Sequence, residues 1–390
     1  MLSVFSRARK SVGRAVVALS ALAVAACEPV GMTGTSPAVS RGEPVQVALL
    51  VPAGSGKASD ENLARSLENA ARLAMRDLGT SQIQLQVYQT AGQPSVAASR
   101  AQQAVAEGAD IILGPLYAAE ANAVGHAVAP QNINVLAFSN NTSVAGGNVF
   151  VLGQTFQNTA RRLASYAQSQ GAGRMMIVYD RNAAGEAGRT AIAAGAQQAG
   201  ATVVGQEGYD FSQNGIRQAA PAIAERTRNA QASSVFLTAD TAGALPAITG
   251  ALRSNGLTPD MVQFIGLTRW DIPSQTLGLP SVQGGWFAQP DPALWGGYAQ
   301  RYSQAYGAAP HPISGLAYDG IAAIGALVKS GRPLDRGALT QKQGFAGTGG
   351  TFRLLNDGTN ERALAVSQIN NNQVSVIDPA PRNFRSGFGF

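Results

Sequence analysis

The chain has 390 residues, with 29 Lys and Arg against 23 Asp and Glu, a formal net charge of +6; 45% of residues are hydrophobic and 13% are charged. That balance excludes an intrinsically disordered chain, and the length accommodates two packed domains. The 45 glycines show no G-X-Y period, so they read as turns and tight helix packing and not as collagen. At the start, Arg7, Arg9, Lys10 and Arg14 precede an apolar stretch over 15–26 broken only by Ser20. A basic head followed by about 12 apolar residues is the pattern of a secretory signal over 1–26, and it is too short to span ~30 Å of hydrocarbon. Without its four positive charges the count is 25 basic against 23 acidic residues, a net of +2. No later Lys/Arg cluster interleaves with aromatics, so no nucleic-acid partner is expected.

The single cysteine, Cys27, follows Val24-Ala25-Ala26, with Leu22 just upstream. Small residues before a cysteine at the end of an apolar stretch resemble the bacterial lipobox. The resemblance implies cleavage before Cys27, lipid attachment to it and contact with a membrane through that anchor. An ordinary signal peptide with a chance cysteine is the alternative. Several acyl chains hold stably where one alone is marginal. Glu28 stands where lipoproteins retained in the inner membrane often carry Asp, which implies an outer-membrane lipoprotein facing the periplasm. One cysteine also excludes an internal disulfide or a zinc site built from several cysteines. Residues 27–44 form the anchor and a Pro-, Gly-, Ser- and Thr-rich tether.

Order is expected from Val45. The runs 45–51, 83–90, 110–115 and 134–139 read as buried strands. The stretches 60–78, 94–107 and 118–129 read as helices, with Leu63, Leu67, Ala70, Ala71 and Ala74 on one face of the first. Strands at 149–153, 174–180, 202–210, 234–240 and 261–267 then alternate with helices at 158–170, 185–199, 213–229 and 242–255. Alternation of this kind predicts parallel sheets covered by helices on both faces. Helices at 294–306 and 313–330 follow. The runs 351–356, 363–369 and 373–378, separated by Asn-Asp-Gly and Asn-Asn-Asn, predict an antiparallel meander. Residues 379–390 read as a loose tail.

The runs VALLVPAGS, ADIILGPLYAAEANAV, INVLAFSNNTSV, LAYDGIAAIGALVKSG and GFAGTGGTFRLLNDGTNERALAVSQINNNQ, in that order, resemble the type 1 periplasmic-binding-protein fold of the leucine/isoleucine/valine-binding proteins. The resemblance spans 45–378. It implies an α/β chain of two doubly wound parallel-sheet lobes joined by three crossovers, here placed near Gly153, Trp286 and Gly344. Lobe one is then 45–153 plus 287–345, and lobe two is 154–286 plus 346–378. A narrower likeness lies in FSNNTSVAGGNVFVLG together with the lipobox and tether. These resemble the outer-membrane lipoprotein activators of penicillin-binding proteins, which carry a helical-repeat domain where this chain has its tether. That likeness implies a non-catalytic regulator whose partner is a bifunctional penicillin-binding protein. The alternative is a receptor for an amino acid or similar small molecule, feeding an ABC importer.

Ligands of open α/β sheets bind beyond the carboxyl ends of strands, which selects the candidate residues. Ser55 sits in a Gly-rich turn after the first strand. That turn fails the P-loop pattern, because Val51 replaces its first glycine and Ala58 its hydroxyl residue. Leu116 and Tyr117 follow the third strand. Ser139, Asn141 and Ser143 follow the fourth, where hydroxyl and amide groups could hold a ligand's carboxylate and ammonium; simple loop capping explains them equally well. On lobe two, Tyr179, Asp180, Thr238, Asp240, Arg269 and Trp270 lie at or just past strand ends. Asp180 or Asp240 could pair with an amine and Arg269 with a carboxylate, or each could be a solvated loop charge. Trp286 and Phe287 are expected to pack a hinge. His126 and His311 are the only histidines, and neither has a metal-ligating neighbour at helical spacing. With no G-x-S-x-G elbow and no dinucleotide fingerprint on the correct side of a strand, no catalytic residue, metal or cofactor is expected.

Overall fold

The computed structural model of the protein describes residues 44–79 and 82–384. The signal, Cys27 and the tether up to residue 43 lie outside the described residues. The body opens with β1 (Val45–Val51), α1 (Ala58–Asp77), β2 (Ile83–Gln89), α2 (Pro94–Ala106), β3 (Ile111–Leu113), α3 (Ala118–Val128), β4 (Asn134–Ala137) and β5 (Val149–Val151). These strands build a five-stranded sheet in the order β2-β1-β3-β4-β5, parallel throughout. Parallel neighbours need crossovers, and helices supply most of them here. Along β1 the side chains alternate between two cores. Val45, Val47, Leu49 and Val51 join the core under α1, while Ala48 and Leu50 join the core under α2 and α3. A strand buried on both faces reads as a continuous apolar run, which is why VQVALLV shows no polar alternation.

The second half repeats the scheme with α4 (Phe156–Ser169), β6 (Arg174–Asp180), α5 (Ala183–Gln198), β7 (Thr202–Tyr209), α6 (Gln213–Asn229), β8 (Ser234–Leu237), α7 (Leu245–Ser254), β9 (Gln263–Gly266) and β10 (Trp286–Gln289). Side-chain caps fix where these helices begin. Thr155, Asn182 and Ser212 each accept from a backbone N–H three residues on, satisfying donors that a helix start leaves open. Helices α4 and α5 pack closely enough that a Cβ at Gly195 would lie 2.8 Å from the carbonyl carbon of Ala160. The glycine there serves close approach.

After β10 come α8 (Pro292–Tyr306), α9 (Gly315–Lys329), α10 (Arg336–Leu339), β11 (Phe345–Gly347), β12 (Gly350–Leu354), β13 (Asn360–Arg362), β14 (Ala365–Asn370) and β15 (Gln373–Asp378). The second sheet has the order β15-β14-β10-β9-β8-β6-β7. It is parallel from β10 to β7, with β14 and β15 antiparallel at one edge. The architecture is thus α/β with two parallel-sheet lobes, as the order of elements implies. Antiparallel pairs form across both expected turns, β12 with β13 and β14 with β15, but they lie in different sheets and not in one meander. Strand β12 pairs with β11 and β13 in a small antiparallel sheet, whereas β14 and β15 extend the second sheet. Buried Ala363 and Leu364 separate the two groups. Trp286 and Phe287 are also not hinge packing. They open β10 inside the second sheet, Phe287 wholly buried and Trp286 edge-on to Tyr166 with ring centroids 5.0 Å apart.

Three passages join the sheets, at 152–155, 290–291 and 363–364; the second and third thus fall after the expected Trp286 and Gly344, because β10 belongs to the second sheet and Phe352 and Leu354 pack with lobe one. Tyr298, Tyr302, Ile321, Phe345, Phe352 and Leu354 pack into the core of the first sheet, while Val366 and Ile369 pack into cores of the second. Side chains near the last passage bind the others together. The Asn360 amide donates to the carbonyls of Val151 (2.7 Å) and Gly153 (2.9 Å). Asn158 on α4 donates to the Asn360 carbonyl at 2.8 Å. Arg362 Nε donates to the Leu152 carbonyl at 2.7 Å, and its Nη1 pairs with Asp319 on α9 at 2.8 Å.

Candidate functional site

A cleft of about 700 Å³ lies where strand ends of the two sheets face each other beside the passages. Its walls come from the residues that follow β3, β4 and β5 on one side and β9 and β10 on the other. These strands lie together in each sheet order, with β1 and β2 beyond them in one sheet and β8, β6 and β7 beyond them in the other. A cavity of this size suits a small organic ligand. Phe138, Phe156, Trp295 and Leu316 give it an apolar surface, and Thr155, Thr159 and Thr348 line it with hydroxyls.

The turn after β3 is fixed by Gly114, whose φ is +90° and whose Cβ would stand 2.3 Å from the Leu50 carbonyl oxygen. No other residue type fits there, and the turn delivers Leu116 and Tyr117 to the cleft. The Tyr117 hydroxyl donates to Asp60 at 2.8 Å. Burial together with that carboxylate pushes the phenol up to about 12, and the hydrogen bond from Tyr117 is the chief cause holding Asp60 below the ordinary carboxylate range. Behind Tyr117 lies Glu120, fully buried; its Oε2 accepts from the Tyr117 backbone N–H at 3.3 Å. Desolvation raises its pKa. After β4, the Ser139 hydroxyl accepts from the Asn141 N–H at 3.1 Å, and the Asn141 side chain accepts from the Ser143 N–H at 2.9 Å.

Charged groups at the cleft are paired within the protein. Arg269 makes a two-pronged contact with Asp271, through Nε at 2.6 Å and through Nη2. Asp319 is almost fully buried. It accepts from the Thr348 N–H at 2.7 Å and the Thr348 hydroxyl at 3.1 Å, besides Arg362.

Of the residues selected from the sequence, Leu116, Tyr117, Ser139, Asn141 and Arg269 stand together on the cleft wall. Ser55, Ser143, Tyr179 and Asp240 do not line it. Ser55 follows β1, where its hydroxyl accepts from the Lys57 N–H at 3.2 Å. Tyr179 lies on β6 with the Arg189 guanidinium 5.6 Å from its ring centre. Asp240 is exposed beyond β8. Asp180 and Thr238 are buried, with the Thr238 hydroxyl 3.3 Å from Asp180 Oδ2. Trp270 is fully buried in a lobe-two core, close enough that a Cβ at Gly266 would lie 2.2 Å from its Nε1. Phe156, Trp295, Thr348 and the Asp319–Arg362 pair lie on the cleft without having been selected. Phe156, Trp295 and Arg362 are close in sequence to the passages; Thr348 and Asp319 are not, and Asp319 stands in the run LAYDGIAAIGALVKSG.

Two parallel α/β lobes, three passages and a cleft between facing strand ends define the class of two-lobed binding proteins. The chain belongs to the periplasmic binding protein family, whose model matches residues 44–373. No curated protein matches the sequence. Among solved structures, the chain is similar to a branched chain amino acid ABC transporter periplasmic ligand-binding protein from Burkholderia xenovorans LB400, at 16% identity and a TM-score of 0.67, over 87% of this chain and 96% of that one. It is similar to a leucine-, isoleucine-, valine-, threonine- and alanine-binding protein from Brucella ovis, at 17% identity and a TM-score of 0.63, over 89% and 97%. It is also similar to an ABC transporter substrate-binding protein from Desulfitobacterium hafniense in complex with Leu, at 16% identity and a TM-score of 0.62, over 86% and 100%. At these identities the likeness is one of fold. The matched family is one of binding proteins, and it implies a periplasmic location. Among the described residues no helix is long and apolar enough to cross a membrane.

Proposed function

We propose that this protein is a solute-binding receptor that holds a small organic molecule between its lobes for delivery to an ABC importer. The observation that carries this reading is the 700 Å³ cleft lined from the ends of both sheets, the position at which open α/β sheets take ligands. The transporter proteins of the same fold support it. Calorimetry on the purified chain with amino acids and small neutral metabolites is expected to give saturable binding of at least one compound, reduced at least tenfold by Phe156→Asp. A chain that binds none of them is not a receptor of this kind.

A second reading makes the body a regulator that touches a bifunctional penicillin-binding protein from an outer-membrane lipid anchor at Cys27. It is favoured by the pairing of the cleft's charged groups within the protein, which leaves, among the described residues, no charge on the lining without a counter-charge to meet an amino acid's ammonium or carboxylate. Co-purification of a peptidoglycan synthase, with faster glycan polymerisation in the mixture, supports this reading over the first. Release of a Cys27→Ser variant from the membrane fraction supports the anchor.

A further inference from the structure

We propose that the solute is an uncharged molecule with an apolar body and a neutral hydrogen-bonding head, and not a zwitterionic amino acid. The proposal rests on the receptor reading above and names the class of solute that the same cleft takes.

Among the described residues, three charged side chains line the cleft: Arg269, Asp319 and Arg362. Each already has its counter-charge. Arg269 is closed by both oxygens of Asp271. Asp319 and Arg362 close on each other, and Asp319 takes two further hydrogen bonds from Thr348. Arg362 has one nitrogen, Nη2, without a partner, but it is shut off from solvent, and the Phe352 ring lies 4.9 Å from the guanidinium. Asp180, the last residue of β6, and Asp240, beyond β8, do not reach the cleft lining. The start of α4, another place where an anion could settle, is occupied by its own caps. Thr155 accepts from the Asn158 N–H, and Asn158 accepts from the Thr155 N–H.

Arg269 keeps N–H donors beyond the two that hold Asp271, but its charge is already neutralised there; the remaining groups on the cleft with capacity left over are neutral. The Asn140 side chain has no partner among the described residues, and Ser139 accepts without donating. Asn141 uses its oxygen and leaves its NH₂. Gln154 donates to Thr159 at 2.9 Å and leaves its oxygen. These donors and acceptors suit an amide or hydroxyl head, while Phe138, Phe156 and Trp295 suit an apolar body. A charged head would lose its hydration without gaining a counter-ion, a loss that a neutral head avoids.

Four probes that share a phenyl ring test this by calorimetry at pH 7.5: phenylacetamide, phenylacetate, phenethylamine and phenylalanine. Phenylacetamide is expected to bind at least tenfold more tightly than the other three. Asp271→Asn, which removes the counter-charge of Arg269, is expected to raise phenylacetate affinity at least tenfold while leaving the amide within about threefold. Equal or tighter binding of phenylalanine or phenylacetate by the unaltered protein overturns the proposal and leaves the receptor reading intact. If neither phenylacetamide nor the neutral dye N-phenyl-1-naphthylamine binds, the proposal is likewise overturned; an amino acid or other charged solute that still binds keeps the receptor reading alone.

Discussion

Glu120 and Asp60 lie on either side of Tyr117 and respond to protons in opposite senses. Asp60 is held below the usual carboxylate range chiefly by the Tyr117 hydroxyl, so its contribution is present above its unfolded pKa and is lost as pH falls through the lower folded value. Glu120 is raised by desolvation, and its Oε1 is buried without a hydrogen-bond partner. The folded state therefore holds the Glu120 proton more tightly than the unfolded chain does. Stability falls as pH climbs from the unfolded pKa through the raised folded one. Glu120→Gln keeps an acceptor for the Tyr117 N–H and removes the buried charge. It is expected to gain about 1 kcal/mol at pH 7, with the gap closing towards pH 4. Thermal melts of both proteins at the two pH values check this, and a variant no more stable at pH 7 than at pH 4, relative to the parent, contradicts it.

At the scale of elements, the interior strands were legible because burial on both faces leaves continuous apolar runs. RMMIVYD gives β6 residue for residue, and the gaps between runs have room for a helix each. The terminal strands were not legible as a sheet. Nothing in TFRLLN or ALAVSQI tells which of two sheets will receive them, since both are short apolar runs beside a turn signal. β10 has only four residues after a Gly-Gly pair. The candidate site was readable to the extent that strand ends are readable. Which strand ends face the cleft depends on sheet order, and that is why Leu116 and Arg269 stand on its wall while Tyr179 and Asp240 do not. The segment around β13 also ties elements together in a way that spacing cannot reveal, because Arg362 and Asp319 are 43 residues apart. Breaking that buried pair from one side leaves a charge without its partner. Asp319→Asn is expected to cost about 3 kcal/mol, read as a lower denaturant midpoint at unchanged slope.

At the scale of the whole molecule, three short passages carry the connection between the lobes, so rotation about them is the motion available to a closing cleft. Small-angle scattering is expected to show the radius of gyration falling when a bound solute saturates the protein; no change on saturation means that the lobes are already as close without solute as with it. The makeup of lobe one has a separate consequence for the order in which the protein is made. Its core begins with Val45 and is completed by Phe345, Phe352 and Leu354, with the whole of α4 to β10 in between. During synthesis, segments that can fold alone do so from the amino end. Here the lobe that leaves the ribosome first waits for residues made some 300 positions later, while much of lobe two has already emerged as one continuous stretch. The half of the protein that is begun first is thus among the last parts to be finished.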